Sequence, residues 1–148
     1  MRIALAADHA GFALKDELAA WLSEGGHEVI DLGTNSADSV DYPEFGARLA
    51  NAVASGEAER GIAVCGSGIG ISIAVNRNPK CRCARVDDPL SARLAREHND
   101  ANVLALGGRL IGSDMARACV AEFLGADFAG GRHQRRVDQL SQLLQESD

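Results

Sequence analysis

One segment of the chain combines the residue types and the spacing of a catalytic loop. An apolar run over 61–64 ends at Cys65, and Gly66, Gly68 and Gly70 follow at alternate positions, with Ser67 and Ile69 between them. Glycines let backbone amides approach a ligand closely, and the amides at the start of a following helix favour negative charge. The same field stabilises a developing oxyanion and favours the thiolate of a nearby cysteine. The segment therefore predicts a strand, an anion-holding loop and a helix, with Cys65 as a candidate base or nucleophile.

Three common glycine-loop motifs do not fit this segment. The dinucleotide fingerprint G-x-G-x-x-G requires glycine where the chain has Ile71, and a nucleotide-binding P-loop requires a Gly-Lys-Ser/Thr run that the segment lacks. A cysteine phosphatase loop would place arginine at that same position. The structural alternative is a tight turn beside a buried cysteine. Three alternating glycines next to a thiol favour a functional loop.

A second group of candidate residues lies near the C-terminus. Arg132 and Arg136 are four residues apart, hence on one face of a helix, and His133 lies beside them. Two guanidiniums on one face would hold a phosphate dianion, although a solvated basic face is an equally good interpretation of composition alone. His98 continues a helical stripe from Leu90 and Leu94, so it is either a stabilising cation at a helix end or a candidate acid or base.

Alternating strand and helix patterns must position these residues. Strand-like apolar runs lie at 2–7, 28–32, 61–65, 82–86 and 103–106, each followed by a helical pattern. The alternation predicts an α/β fold, a single Rossmann-like three-layer α/β/α domain over 1–148 with a five-stranded, mainly parallel, doubly wound sheet. Asp41, Asp88 and Ser113 are the expected helix caps. The last helix, over about 132–146, should bury Val137, Leu140 and Leu144 and is a candidate for packing on a neighbouring subunit.

In a flavodoxin-like strand order, a crevice opens at the carboxyl ends of strands one and three. Asp8 and His9 would then face the Cys65 segment, which favours functional roles over the alternatives of a helix cap and a surface loop residue. Tyr42 either packs as a simple staple or offers its hydroxyl to the crevice. Arg109 follows Gly107-Gly108 at the end of the fifth strand and is expected on the same edge.

Composition limits the partners of the protein. With 148 residues, a formal net charge of −6 and 4% aromatic residues, the chain suits one self-sufficient domain and disfavours a nucleic-acid partner. Its four cysteines form no C-x-x-C pair and no zinc spacing, so neither a disulfide framework nor a metal site is expected. The N-terminal apolar run breaks at Asp8, too early for a signal peptide or a membrane span. We expect a cytoplasmic protein with reduced thiols.

Five motifs, in order along the chain, resemble the B-type ribose-5-phosphate isomerases, a family grouped with bacterial galactose-6-phosphate isomerase subunits. The resemblance extends over nearly the whole chain. Its markers are DHAGF at 8–12, DYP at 41–43, CGSGIGISIAVN at 65–76, REHNDANVLALGGR at 96–109 and GGRHQRRV at 130–137.

The resemblance implies an aldose–ketose isomerase that uses no metal or cofactor and acts through an enediolate. By analogy, Cys65 would move the proton between carbon-1 and carbon-2 of the sugar phosphate. Ser67 and the amides of 66–70 would hold the oxyanion, and Asp8 would handle protons on the substrate hydroxyls. His98, with Tyr42, would open the furanose ring.

The remaining roles implied by the resemblance concern binding. Asn99 would contact the sugar, and the groups that bind the phosphate and nearby oxygens would be His9, Arg109, Arg132 and Arg136. Family members are dimers or tetramers with a shared site, which implies that His98, Asn99 and Arg109 come from the neighbouring subunit.

Two positions depart from the family pattern. Ser67 stands where threonine is frequent, which keeps the hydroxyl, whereas Arg85 places a charge in the fourth strand where the family usually has an apolar residue. The leading hypothesis is interconversion of ribose 5-phosphate and ribulose 5-phosphate. The alternatives are an isomerase of allose 6-phosphate, galactose 6-phosphate or a tetrose phosphate, a non-catalytic phosphosugar-binding protein, and a thiol-redox switch, for which Cys65 has no adjacent resolving partner.

Overall fold

Strands and helices alternate as the sequence predicts. The computed structural model describes residues 1–145, with side chains to residue 143. The strands are β1 (Arg2–Ala7), β2 (Glu28–Asp31), β3 (Arg60–Cys65), β4 (Cys83–Arg85) and β5 (Val103–Gly107). The helices are α1 (Phe12–Glu24), α2 (Tyr42–Ala54), α3 (Ile69–Val75), α4 (Pro89–Asn99), α5 (Ser113–Gly125) and α6 (Arg132–Gln145).

The five strands form one parallel sheet in the order β2-β1-β3-β5-β4. The predicted α/β class is thus confirmed, and β1 and β3 are neighbours as the crevice argument requires. The order differs from the flavodoxin-like one at the far side, because β5 lies between β3 and the edge strand β4. As a result Cys65 pairs in register with Gly107. The end of β5 therefore lies beside the Cys65 segment.

The core has two layers, one on each face of the sheet. In β1, Ile3 and Leu5 face one layer, in the same cluster as Leu18 of α1 and Phe123 of α5. The alternate residues Ala4 and Ala6, with Ala63 and Ala105, face the other layer, in the same cluster as residues of α2 and α3. This alternation is the period of two that a strand imposes. The small side chains on the second face let α2 and α3 pack close to the strand that ends at Cys65.

Two of the three expected helix caps lie at the predicted position, and one of them forms the capping hydrogen bond. The carboxylate of Asp88 accepts from the Ser91 amide at 2.8 Å. Asp41 stands at the N-cap of α2 without a side-chain cap bond, and Glu44 pairs with Arg48 instead of completing a capping box. Gly112, not Ser113, is the N-cap of α5, and the Ser113 hydroxyl donates to Glu17 of α1. Asp41 thus holds the predicted N-cap position without the predicted side-chain bond, whereas Ser113 was the wrong residue, because its hydroxyl bonds to Glu17.

The outward faces of α4 and α6 differ from the expectation. Helix α4 buries Ala92, Ala95 and Arg96 rather than the stripe through Leu90, which is 54% exposed. In α6, Val137 is buried as expected, but Leu140 is 46% exposed and the Leu144 side chain lies outside the described residues. Small alanines bring α4 close to its neighbour α5, which turns the larger leucine outward. Apolar side chains are thereby left on the surface.

The described part of the chain lacks two kinds of feature. No helix there is long and apolar enough to cross a membrane. Residues 1–145 also contain no group of three His, Cys, Asp or Glu side chains arranged to hold a metal ion.

Candidate active site

The thiol of Cys65 lies at the carboxyl end of the central strand, in contact with a backbone amide. Residues 65–70, here named the Cys65 loop, include the last residue of β3, the connection after it and the first two residues of α3. The Gly68 amide donates to Cys65 Sγ at 3.1 Å, and the Ile69 amide donates to Ser67 Oγ at 3.1 Å. Cys65 is 4% exposed in the single chain. The loop therefore holds both of its candidate reactive atoms through its own amides.

Close packing explains two of the alternating glycines. Gly68 has φ +77°, and a Cβ there would lie 2.8 Å from the Leu106 carbonyl carbon. A Cβ on Gly70 would lie 2.7 Å from Cζ of Tyr42. Gly68 thus lets the loop turn against β5. Gly70 has no side chain, so the Tyr42 ring packs directly on its backbone. This contact brings the Tyr42 ring to the loop, and the role of its hydroxyl in the crevice stays a prediction.

The turn after β5 extends the pairing beyond the strands. The Gly108 amide donates to the Cys65 carbonyl at 2.8 Å, and the Arg109 amide donates to the Gly66 carbonyl at 3.0 Å. A Cβ built on Gly66 would lie 3.4 Å from both Cδ and Nη1 of Arg109. Arg109 therefore lies against the Cys65 loop of its own chain. The resemblance had implied a neighbouring subunit as the source of Arg109, but no second subunit is needed to bring it to this loop.

Asp8 and His9 line the other side of the crevice. Asp8 is 7% exposed, and its Oδ1 accepts from the amides of Ala10 at 3.0 Å and Gly11 at 3.1 Å. The carboxylate therefore does the work of a turn cap, which also fixes its orientation. The Val40 amide donates to His9 Nδ1 at 3.1 Å, so the neutral imidazole carries its proton on Nε2.

An open cleft of about 650 Å³ lies beside these residues. It is lined by Asp8 and His9 and by residues 39–44, which include Tyr42 at the start of α2. A space of this size suits a small ligand. Six of its eight lining residues carry a polar or charged side chain, which suits a compound with several hydroxyl groups.

His98, Asn99, Arg132, His133 and Arg136, here named the His98 cluster, lie where α4 ends and α6 begins. The rings of His98 and His133 stack with centroids 4.3 Å apart and planes inclined by 14°. The pKa of His133 lies below its ordinary value, first because the ring is desolvated and then because His98, Arg132 and Arg136 repel its charged form. The cluster is thus a concentrated positive surface.

Within one chain the His98 cluster lies near the amino ends of the strands, whereas the Cys65 loop lies at their carboxyl ends. Asn99 ends α4 just before β5 starts, and its carbonyl accepts from Arg82 Nε at 3.0 Å. Val103 pairs with Gly61, near the start of β3, whereas Cys65 ends that strand. Because a strand rises about 3.3 Å per residue, the four steps from Gly61 to Cys65 separate the two groups by about 13 Å along the strands. The structure therefore brings together Asp8, His9, Tyr42, Arg109 and the Cys65 loop, but does not bring the His98 cluster to them.

The other cysteines differ from Cys65 in their environment. Burial raises the pKa of Cys81 and of Cys83, and it raises the pKa of Cys119 to about 11. These thiols are held in their protonated form, as expected for residues that serve packing.

Two contacts to the site were missed by sequence reasoning. The backbone of Val40 orients His9, and the guanidinium of Arg85 donates from Nε to the Ser67 carbonyl at 2.9 Å. A backbone amide leaves no signal in a sequence. The charge of Arg85 inside a strand-like run was a signal, but its partner depends on the position of β4 at the sheet edge.

The protein has a parallel α/β sheet, and its thiol-bearing glycine loop and its cleft lie at the carboxyl ends of the strands. Open α/β proteins bind small ligands at this place, so the fold and the site define a protein of that class. Residues 3–140 match the family described as Ribose/Galactose Isomerase, and the chain belongs to that family.

Individual relatives are similar over almost their whole lengths. The chain is 48% identical to ribose-5-phosphate isomerase B of Escherichia coli K12, with 97% of each chain covered. It matches the structure of Clostridium thermocellum ribose-5-phosphate isomerase B with a TM-score of 0.99 and 49% identity over all of both chains. A structure of Mycoplasma genitalium ribose-5-phosphate isomerase B contains bound ribulose-5-phosphate. The chain matches it with a TM-score of 0.94 and 37% identity, over 98% of this chain and 97% of that one.

Proposed function

We propose that the protein interconverts ribose 5-phosphate and ribulose 5-phosphate by proton transfer through an enediolate. The observation that carries the proposal is the Cys65 thiol at the end of the central strand, with the Gly68 amide on its sulfur and Arg109 against the same loop. Membership of the family supports it, as does the relative whose structure holds ribulose-5-phosphate.

The reaction needs a positioned base and stabilisation of the charge that forms. In the open-chain aldose, the Cys65 thiolate takes the proton from carbon-2, and the electron pair left behind forms the enediolate with negative charge on O1. A proton then passes from the O2 hydroxyl to O1 with Asp8 as the carrier, and the thiol returns the carbon-2 proton to carbon-1. The carbonyl is thereby formed at carbon-2, which gives the ketose and restores the thiolate. Ser67 and the amides of the Cys65 loop face the developing charge, while Asp8 and Tyr42 serve the hydroxyls.

A second copy of the chain completes the site in this proposal. The His98 cluster supplies the acid and base for ring opening and, through Arg132 and Arg136, the phosphate contacts, yet it lies across the sheet from the Cys65 loop of its own chain. A two-fold axis that relates two antiparallel chains places each cluster at the other chain's loop and creates two identical sites. His9 and Arg109 add contacts to the phosphate and nearby oxygens.

Exposed apolar side chains near both groups support such a dimer. Ile69 and Ile73 are 52% and 51% exposed on α3, which follows the Cys65 loop, and Leu140 is exposed on α6, which carries the arginines. Large apolar residues on the surface are covered in most obligate assemblies. We therefore propose a homodimer with sites shared between subunits.

We also propose that the protein works in the cytoplasm. All four of its cysteines are free, which suits a reducing compartment. A phosphorylated sugar is charged and is a typical substrate of cytoplasmic metabolism.

The test compares four substrates on the purified protein: ribose 5-phosphate, allose 6-phosphate, galactose 6-phosphate and erythrose 4-phosphate. We expect the highest kcat/KM with ribose 5-phosphate, together with transfer of solvent deuterium into carbon-1 of the ketose product. A higher value with a hexose or tetrose phosphate would replace the substrate within the same reaction class. Binding of all four sugars without deuterium incorporation would instead identify a non-catalytic phosphosugar-binding protein.

A further inference from the structure

Arg85 connects the edge strand of the sheet to the Cys65 loop. Its Nε donates to the Ser67 carbonyl at 2.9 Å, and its Nη1 pairs with Asp87 Oδ2 at 2.5 Å. The side chain is 26% exposed. An arginine in a short edge strand usually extends into water, because water solvates the charge at no structural cost. Here two partners fix the guanidinium over the loop instead.

The position of Arg85 follows from how β4 is held. Arg85 pairs with Ala105 of β5 on one side of the strand. On the other side, the Asn76 side chain donates to the Cys83 carbonyl at 3.0 Å and accepts from the Cys83 amide at 2.8 Å, in the manner of one more strand. Cys83 and Arg85 are two residues apart and share a face of the sheet. That face carries α3 and the loop that precedes it.

The bond from Arg85 reaches the thiol through a single peptide group. The Ser67 carbonyl and the Gly68 amide belong to the same planar peptide, with oxygen and hydrogen on opposite sides. The carbonyl accepts from Arg85, and the amide donates to Cys65 Sγ at 3.1 Å. A charged donor on the oxygen polarises the peptide, which makes its N–H a stronger donor. The same bond restrains rotation of the peptide away from the sulfur.

We propose that Arg85 is a positioning residue for Cys65, which acts through the Ser67–Gly68 peptide to hold the Gly68 amide on the sulfur and to strengthen its stabilisation of the thiolate. The inference rests on the proposed function only in taking Cys65 as the base. Other charges lie near the loop. Arg109 lies against Gly66, Asp8 is held by its own turn, and Asp87 offsets part of the Arg85 charge. None of these three residues forms a hydrogen bond with the Ser67–Gly68 peptide.

The experiment compares Arg85→Met, Arg85→Gln and Arg85→Lys in the full-length protein. The first readout is the rate at which iodoacetamide alkylates Cys65 at pH 7, followed by peptide mass spectrometry. We expect Arg85→Met to slow alkylation by about three- to tenfold, the loss of one charge-assisted hydrogen bond. Arg85→Lys keeps the charge and should recover most of the rate, whereas Arg85→Gln keeps only a neutral donor and should fall between. The Gly68 amide proton resonance should shift upfield in the same order.

The second readout is steady-state isomerisation. Arg85→Met should lower kcat by about three- to tenfold and change KM by less than about twofold, because the affected group acts on the transferring proton and not on the phosphate. Arg93→Met is the matched control, since it removes the same charge from an exposed position on α4 whose partner is Glu97. It should leave alkylation and kcat unchanged.

Wild-type alkylation in Arg85→Met, no recovery with Arg85→Lys, or a rise in KM at constant kcat would each overturn the inference. If Arg85→Met does not fold, the lysine and glutamine variants still decide between charge and shape. Alkylation does not depend on turnover. A protein that follows the expected alkylation order but isomerises no sugar phosphate would therefore keep the role of Arg85 and reject the proposed function.

Discussion

The Cys65 loop and the His98 cluster are prepared for a ligand in different ways. In the loop, backbone amides donate to the thiol and to the Ser67 hydroxyl, and a neighbouring strand end and Arg109 close it from the side. In the His98 cluster, two stacked imidazoles and two arginines concentrate positive charge at helix ends, largely open to solvent. One region is ordered by the fold of its own chain, whereas the other presents its charge at the surface, where the second chain of the proposed dimer would lie.

The difference is consistent with the proposed division between a catalytic loop and a phosphate-binding cluster. A base for proton abstraction must be held within a fraction of an ångström, which rigid backbone bonds achieve. A phosphate dianion is bound by charge and by several donors, and flexible guanidiniums on a helix provide these. In the proposed dimer, a shared site would let one fold supply both groups, at opposite ends of its parallel strands, without crowding them into one crevice.

The largest expected effect concerns the chemical half. Replacing Cys65 with alanine should lower kcat by about 10²- to 10⁴-fold, the usual contribution of a general base. Affinity for ribulose 5-phosphate, measured by calorimetry, should change little because the phosphate contacts lie elsewhere. Cys83→Ala is the control, since burial raises the pKa of that thiol and it faces α3 rather than the cleft. Substantial turnover in Cys65→Ala would remove the base assignment.

Mixing two inactive variants tests whether the two regions meet between chains. Cys65→Ala impairs only the loop, and Arg136→Ala impairs only the His98 cluster. After subunit exchange, half of the dimers are mixed, and each mixed dimer has one intact site if sites are shared, which restores about a quarter of wild-type activity. Sites formed within one chain would give no recovery at all. Size-exclusion chromatography before and after mixing confirms that exchange has taken place.

A third test fills the space at Gly70 on which the Tyr42 ring packs. Alanine at position 70 would place its Cβ 2.7 Å from Tyr42 Cζ, so the exposed ring should move off the loop. We expect kcat to fall by about tenfold while thermal stability stays level or rises, because alanine suits a helix better than glycine.

The control for the Gly70 variant is Gly112→Ala, where no atom lies within 4 Å of the added Cβ. Tyr42→Ala should reproduce the loss of turnover. Full activity in Gly70→Ala would mean that the ring position does not matter to the reaction.

Sequence reasoning was most successful where local chemistry decides the structure. Alternating apolar runs predicted the strands, and the thiol with its glycines predicted the loop after β3. The exchange of β4 and β5 could not be predicted, because strand order depends on how whole βα units pack and not on any local pattern. That exchange is what brings Arg109 and the end of β5 to Cys65, and it also places Arg85 at the sheet edge.

The separation of the two regions illustrates the same limit. His98 and Arg136 have residue types that suit catalysis and binding, but their distance from Cys65 depends on the directions of α4 and α6. The exposed Leu90 misled the assignment of the buried face of α4, since a helix with alanines on one side and leucines on another can bury either. Only packing against α5 decides which.

The smallest effect concerns the charge of the His98 cluster. The pKa of His133 is lowered in the folded chain by desolvation and then by His98, Arg132 and Arg136. The unfolded chain therefore takes up a proton first as the pH falls below about 6.5, and the free energy of unfolding should decline from that pH down to the folded pKa. Urea unfolding at pH 7.5 and 5.5 should show a weaker decline in His133→Gln, whereas Arg135→Gln, whose charge does not contribute to the shift, should keep the wild-type slope. An equal slope in all three proteins would mean that repulsion within the cluster is already relieved, as it would be if an anion or the acidic face of a second chain neutralised it.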